Sequence, residues 1–283
     1  MKIASFSTFS NDLRRAGIKA AVEHMNALGF DAVETFDFHP SAYEMPVYRA
    51  FSAKEIRKSL DAHGLVAACH SVAVRRLDQA DAASLEDLYR QIEFAAQIGA
   101  PYFHHTLVLP LKPLPEAPDY RAMLDAVLPA AEGIVDRCEE YGITCLYEPQ
   151  GMYFNGVDGL RPLLEEMRLR GKKIGICGDL ANSLFVDESP RDVTASFAGD
   201  VRHVHVKDIQ IAERPREGVK GNFSRGGKFL SECEVGLGDV DLRGCFDALA
   251  AVGYDGAYSL ECDGDDDALR RMIARVRAML SKE

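Results

Sequence analysis

The sequence contains no tryptophan, so an aromatic platform for a ligand ring has to come from tyrosine or phenylalanine. It has no apolar run of membrane-spanning length. Its opening, "MKIASFSTFSNDLRR", lacks the apolar middle and small-residue cleavage site of a secretory leader. A cytoplasmic protein without a membrane partner is the expectation. The seven cysteines are odd in number, scattered, and never spaced C-x-x-C, which indicates neither a disulfide framework nor a cysteine-bound zinc. Basic stripes are also lacking. With 33 Lys and Arg against 44 Asp and Glu, the net charge is −11, which argues against nucleic acid as the main partner. P-loop, G-x-G-x-x-G, H-E-x-x-H and G-x-S-x-G patterns are all missing, so nucleotide, zincin and hydrolase-elbow readings have no support. A small neutral sugar and a divalent cation remain compatible with the acidic balance.

What the chain does contain is one repeated phrase: a helix end, a glycine, then a short apolar strand. It recurs as "ALGFDAVET", "AHGLVAACH", "QIGAPYFHH", "EYGITCLYE", "LRGKKIGICGD", "FAGDVRHVHVKD" and "AVGYDGAYSLEC". With the opening "KIASFST" this makes eight strand candidates. Glycine after a helix is the left-handed C-cap, so each phrase marks a helix stopping before a strand. The intervening segments have helical spacing. Ile18, Ala21, Val22, Met25 and Leu28 lie on one face, as do Leu242, Cys245, Phe246, Leu249 and Val252, and Leu269, Met272, Ile273, Val276 and Met279. "SAKE" at 52–55 reads as a capping box, and Ser189-Pro190 as a cap followed by proline at the first helical position. Pro129 should kink or restart the helix around 120–140.

Eight strands alternating with eight helices over 283 residues predict an α/β fold, a single-domain (β/α)8 TIM barrel spanning 1–283; an open doubly wound sheet is the structural alternative. Two long connections follow strands and so belong at the C-terminal mouth, where barrel enzymes do chemistry. Residues 107–119 are proline-rich and expected to be stiff. Residues 209–235 are polar and Gly-rich and expected to form a flexible loop.

The ends of the late strands carry the candidate chemistry. Strand five ends at Glu148, strand six at Asp179, strand seven supplies His205, and strand eight leads to Glu261. Period-two alternation tests whether they share the barrel interior. If they do, Leu146, Cys177, His203 and Ser259 form the layer below, and Thr144, Gly175, Val201 and Ala257 the next. The outward set is then apolar apart from Arg202, as covering helices require. Three carboxylates and an imidazole converging at one mouth would repel unless a cation joined them. Three oxygens and one nitrogen suit Mn²⁺ first, with Mg²⁺, Co²⁺ or Zn²⁺ as alternatives. His203 reads as an interior residue below the ligands.

"LYEP", "GDLAN", "HVHVKD", "GFDAVE" and the stretch "EVGLGDVDLRGCFDALAAVGYDGAYSLEC" resemble the sugar isomerase/epimerase superfamily of xylose isomerase-like TIM barrels over essentially the whole chain. That group includes ketose 3-epimerases, inosose isomerases and dehydratases. The resemblance implies that Glu148, Asp179, His205 and Glu261 are metal ligands, and that Glu148 and Glu261 are also the acid–base pair. Two positions depart from the pattern. Asn182 stands where epimerases and endonuclease IV relatives often carry histidine, which argues against a three-zinc phosphodiesterase. Lys207 and Asp208 stand where ketose epimerases tend to have Glu and Arg.

The implied reaction moves a proton next to the carbonyl of a keto-sugar or keto-polyol through a metal-bound enediolate. A metal-dependent isomerase or epimerase is therefore the first reading. A lyase of the same fold, a dehydratase or a 3-keto-sugar eliminase, is the alternative. A small carbohydrate is the expected partner, and homo-oligomerisation is left open. Glu34, His70, His104 (or its neighbour His105), Asn182, Lys207 and Arg216 are the candidates for gripping substrate.

Overall fold

The computed structural model describes residues 1–39, 46–111 and 119–281. All eight expected strands are present. They are β1 (Lys2–Ser5), β2 (Ala32–His39), β3 (Val66–Val74), β4 (Tyr102–His105), β5 (Thr144–Tyr147), β6 (Ile174–Asp179), β7 (Val201–Val206) and, after three further strands, β11 (Ala257–Leu260). They close into a parallel barrel in the order β1-β11-β7-β6-β5-β4-β3-β2, which is the (β/α)8 fold.

Helices α1 (Ser7–Leu28), α2 (Val47–Ala50), α3 (Ala53–Ala62), α4 (Ala82–Ile98), α5 (Tyr120–Glu140), α6 (Gly156–Leu169), α7 (Pro190–Phe197), α8 (Leu242–Ala251) and α9 (Asp266–Leu280) connect the strands. The left-handed glycine holds at six of the seven phrases; in the remaining one, Gly199 lies inside a short 3-10 helix, Ala198–Asp200. Gly29, Gly64, Gly99, Gly142, Gly171 and Gly253 all take φ between 68° and 88°, the region where a Cβ is penalised. The caps form as well: Ser52 Oγ accepts from Glu55 N, and Ser189 Oγ from Asp192 N ahead of Pro190. Pro129 does not restart its helix; α5 runs through it. The interruption falls in α1, where Gly17 adopts φ 81° and ψ 175°.

The helices cover the barrel with their apolar faces. On α9, Leu269, Met272, Ile273 and Val276 are buried, each worth about 1.5–3 kcal/mol relative to exposure. The outward strand residues Cys145, Tyr147, Ile176, Val204, Val206, Tyr258 and Leu260 belong to the same outer core. Inside the barrel the side chains are small. Ala4, Ala32, Ala68 and Ala257 form one cluster, and Cys69, Leu146 and Cys177 another.

One inward assignment is corrected. The β6–β7 register shifts between Ile176 and Cys177, so that Arg202 is an extra residue on β7. Val201 turns outward against Gly178, and the stem of Arg202 takes its place beside Gly175. A Cβ on Gly175 would lie 2.8 Å from both Leu146 Cδ2 and Arg202 Cγ, so only glycine fits.

The connection 209–235 is not a flexible loop. It forms a three-stranded antiparallel sheet, β8 (Asp208–Ala212), β9 (Asn222–Phe223) and β10 (Phe229–Cys233), in the order β8-β10-β9. Asp208 anchors it by accepting the backbone N–H groups of Ile209, Gly236, Gly238 and Val240. Of the proline-rich connection, residues 112–118 lie outside the described residues. Among the described residues no helix is long and apolar enough to cross a membrane.

Candidate metal centre

Each of the four predicted ligands sits at the C-terminal end of a neighbouring barrel strand, the end at which parallel barrels leave their loops free for chemistry. One ligand atom from each of Glu148, Asp179, His205 and Glu261 lies within 4.8 Å of the others. Glu148 Oε1 is 2.9 Å and Glu261 Oε2 3.4 Å from His205 Nδ1. Asp179 Oδ1 accepts the backbone N–H groups of Ala181 (2.8 Å) and Asn182 (2.5 Å), which pins the carboxylate and leaves Oδ2 for the cluster. Asp179 Oδ2 and Glu261 Oε2 are buried and make no hydrogen bond; the first has Lys207 Nζ at 3.1 Å and the second His205 Nδ1 at 3.4 Å. Buried oxygens of this kind are costly unless cations satisfy them. Three carboxylates converging with an imidazole nitrogen and a single ammonium fit a divalent ion.

A second layer fixes this arrangement from below. Glu34 Oε1 is 3.0 Å from His205 Nε2, and Glu34 Oε2 is 2.7 Å from His203 Nε2. Ser71 Oγ donates to Glu34 Oε1 and lies 3.0 Å from His104 Nδ1. His104 Nε2 in turn approaches Glu148 Oε2 at 3.4 Å. Glu34, His205, Glu148, His104 and Ser71 thus close a ring of polar contacts. With Nε2 of His205 engaged by Glu34, Nδ1 is the nitrogen turned toward Glu148 and Glu261.

The electrostatics follow from burial among these partners. Burial pushes the Asp179 carboxyl up to about 8; Lys207 opposes this, but Glu261 and Glu148 add to it. For Glu148, burial is outweighed by His104 and His205, which hold it well below the usual carboxylate range. Burial disfavours charge on His205 too, yet Cys177, Glu34 and Glu148 raise it well above an ordinary imidazole. Glu34 is burdened by burial and nevertheless lowered by His205 and His203. On the Asp179 side Lys207 is the cation, and its pull does not offset burial and the two glutamates.

A cavity of about 180 Å³ adjoins the cluster, bounded by Phe6, Phe36, Phe38, Ala73, Leu109, His104, Thr106, Gln150, Glu148, His205 and Glu261. Phe6 and Phe36 rings pack 4.7 Å apart, Phe36 and Phe38 4.9 Å apart. Phenylalanine therefore supplies the aromatic wall.

The substrate-gripping candidates divide. His104 faces the cavity; its neighbour His105 points outward against Tyr147. Glu34 is fully buried beneath the ligands rather than at the cavity. His70 is turned outward, with Nδ1 2.8 Å from Thr35 Oγ1, Nε2 3.3 Å from Gln91 Oε1 on α4, and its ring against Phe94. It lies outside the barrel interior, and Ser71 is the inward residue. Arg216 bonds Gln210 on β8 and lies off the cavity. Asn182 is buried beside Asp179, with Nδ2 unpartnered. Lys207 is 4% exposed, and its Nζ sits 3.1 Å from Asp179 Oδ2 and 3.2 Å from Glu261 Oε1. The motif reading overlooked Phe6, Phe36, Phe38, Gln150 and Ser71. The alternation Glu34, Phe36, Phe38 along "ETFDFH" held the signal for the wall.

A family model for the xylose isomerase-like TIM barrel matches residues 22–281, and the chain belongs to this family. Within it, the chain is 28% identical over 144 residues to an inosose dehydratase of Geobacillus thermodenitrificans (strain NG80-2), a match covering 50% of this chain and 47% of that protein. The matched region is thus about half the length of that relative. Among solved structures, a D-allulose 3-epimerase from Methylomonas sp. superposes with a TM-score of 0.74 at 15% identity, covering 99% of this chain and 98% of that one. The IOLI protein, crystallised with a zinc atom, gives 0.75 at 14% identity over 100% and 99%. At these identities the likeness is one of fold.

Proposed function

We propose that the protein is a metal-dependent isomerase or epimerase acting on a keto-sugar or keto-polyol. The observation that carries this reading is the convergence of Glu148, Asp179, His205 and Glu261 at the barrel mouth, beside a cavity with a phenylalanine wall. These four residues would hold a divalent ion, Mn²⁺ by preference. Such an ion supplies fixed positive charge against the oxygen of an enolate as the proton leaves the adjacent carbon.

The remaining work falls to the chain. Glu148 and Glu261 stand on different strands, one on either side of His205 in the barrel order. One carboxylate takes the proton from the carbon next to the carbonyl, and the other returns it. Return to the opposite face of the same carbon is epimerisation; return to the neighbouring carbon is isomerisation. Phe6, Phe36 and Phe38 cover the apolar face of the substrate and keep water from the carbanion. His104 and Gln150 reach its hydroxyl groups.

A lyase is the second reading, favoured by the inosose dehydratase relative. Here the same proton abstraction is followed by loss of a β-hydroxyl instead of reprotonation.

Metal analysis of the purified protein, with a solvent-deuterium exchange screen over ketoses and inososes, tests the proposal. Bound divalent metal and deuterium gain at the α-carbon are expected. A new enone absorbance selects the lyase. A metal-free protein that exchanges no substrate proton refutes both readings.

A further inference from the structure

The three carboxylates of the cluster, Glu148, Asp179 and Glu261, bring one more negative charge than a divalent ion neutralises. Glu34 adds a fourth carboxylate one layer below, held by His203 and His205. The missing positive charge is present in the chain. Lys207 Nζ lies 3.1 Å from Asp179 Oδ2 and 3.2 Å from Glu261 Oε1, on a side chain 6% exposed. Glu261 is oriented to serve both partners, with Oε1 toward Lys207 and Oε2 toward His205 Nδ1. Lys207 is absent from the cavity lining, so its ammonium is spent on ligands.

We propose that Lys207 is a resident cation of the metal centre: it positions Asp179 and Glu261, and its charge disfavours a trivalent ion at the site more than a divalent one. The inference rests on the metal reading above and extends it to the selection of ion charge. A buried cluster with unbalanced charge is penalised strongly. The ammonium repels a bound ion in proportion to the charge of that ion, so its loss favours a trivalent ion over a divalent one.

The test is calorimetric titration of wild type, Lys207→Met and Lys207→Arg with Mn²⁺ and with Tb³⁺ at one fixed pH. The ratio of the two association constants is read, because lost alignment of the carboxylates weakens both ions alike, whereas lost charge does not. The ratio should move toward Tb³⁺ by about tenfold or more in Lys207→Met and stay within about twofold in Lys207→Arg. Lys207→Gln serves as the neutral variant if the methionine form does not fold. An unchanged ratio in the neutral variant overturns the role of Lys207 and leaves the metal reading standing. A wild-type protein that binds neither ion removes both.

Discussion

Glu34 Oε1 lies 3.0 Å from His205 Nε2, on the edge of the imidazole opposite the one that faces Glu148 and Glu261. The contact joins two strands far apart in sequence and decides which nitrogen is offered to the cluster. Replacing Glu34 by Gln keeps the shape and removes the charge that orients the ring. Metal affinity should fall by about 10–100-fold with the fold intact. Equal affinities of the two proteins in a Mn²⁺ titration would show that His205 is oriented by other means.

Asp179→Asn should act chiefly on metal binding, since the amide is neutral and a poorer ligand. Oδ1 of Asp179 accepts two backbone N–H groups, a geometry that the Asn carbonyl can retain. Excess Mn²⁺ is therefore expected to restore part of the activity. Activity that stays lost at saturating metal assigns Asp179 a role in the reaction itself.

The two glutamates should behave differently from Asp179. Glu148→Gln and Glu261→Gln each remove a proton carrier, so turnover should be lost even where metal is retained. In an epimerase, the variant lacking only the reprotonating group should still exchange the α-proton of the substrate with solvent. Near-normal turnover in either variant would rule out two-carboxylate chemistry and direct attention to His104, which faces the cavity.

His70 makes a separate prediction about stability. Burial lowers its pKa, against the opposing pull of Asp37 and its bond to Gln91. A group whose pKa is depressed in the folded state contributes stability that is complete above its unfolded value of 6.5. That stability is lost as pH falls, because the unfolded chain takes up the proton first. Below pH 6.5 the unfolding free energy should decline by up to about 1.4 kcal/mol per pH unit from this one site. Urea denaturation at several pH values between 5 and 8 should show a shallower decline for His70→Gln than for wild type. Parallel profiles would place the acid sensitivity elsewhere.

The cluster of Glu148, Asp179, His205 and Glu261 was legible because late strands end soon after their apolar alternation stops. Counting back by two from Glu148, Asp179, His205 and Glu261 places Leu146, Cys177, His203 and Ser259 inside, small or apolar apart from His203, and helices cover the rest. His70 was misread for a definite reason. β3 continues four residues beyond it to Val74, so "LVAACH" ends in mid-strand. The β2–β3 register also shifts next to Glu34, and a shift of one residue exchanges the two faces. The same physics displaced Val201. The role of Glu34 was invisible for another reason: its partners His203 and His205 lie 169 and 171 positions away, and no local pattern encodes that meeting. The strands around Arg216, β8 and β10, read as loop because their surroundings are polar, and their pairing is anchored by the remote backbone contacts that Asp208 collects.

That collecting carboxylate has a consequence for how the molecule can change over evolution. The segment leaves the barrel at Asp208 and comes back at Gly236, Gly238 and Val240, all held by one side chain. A Cβ on Gly238 would stand 2.1 Å from Asp208 Oδ1, so the clasp admits no bulk at that point. The far end is fastened too, because Ser224 and Gly226 bond Asp187 after β6. Changes of length are therefore expected in the exposed turn at 213–220, between β8 and β9, where neither fastening is disturbed.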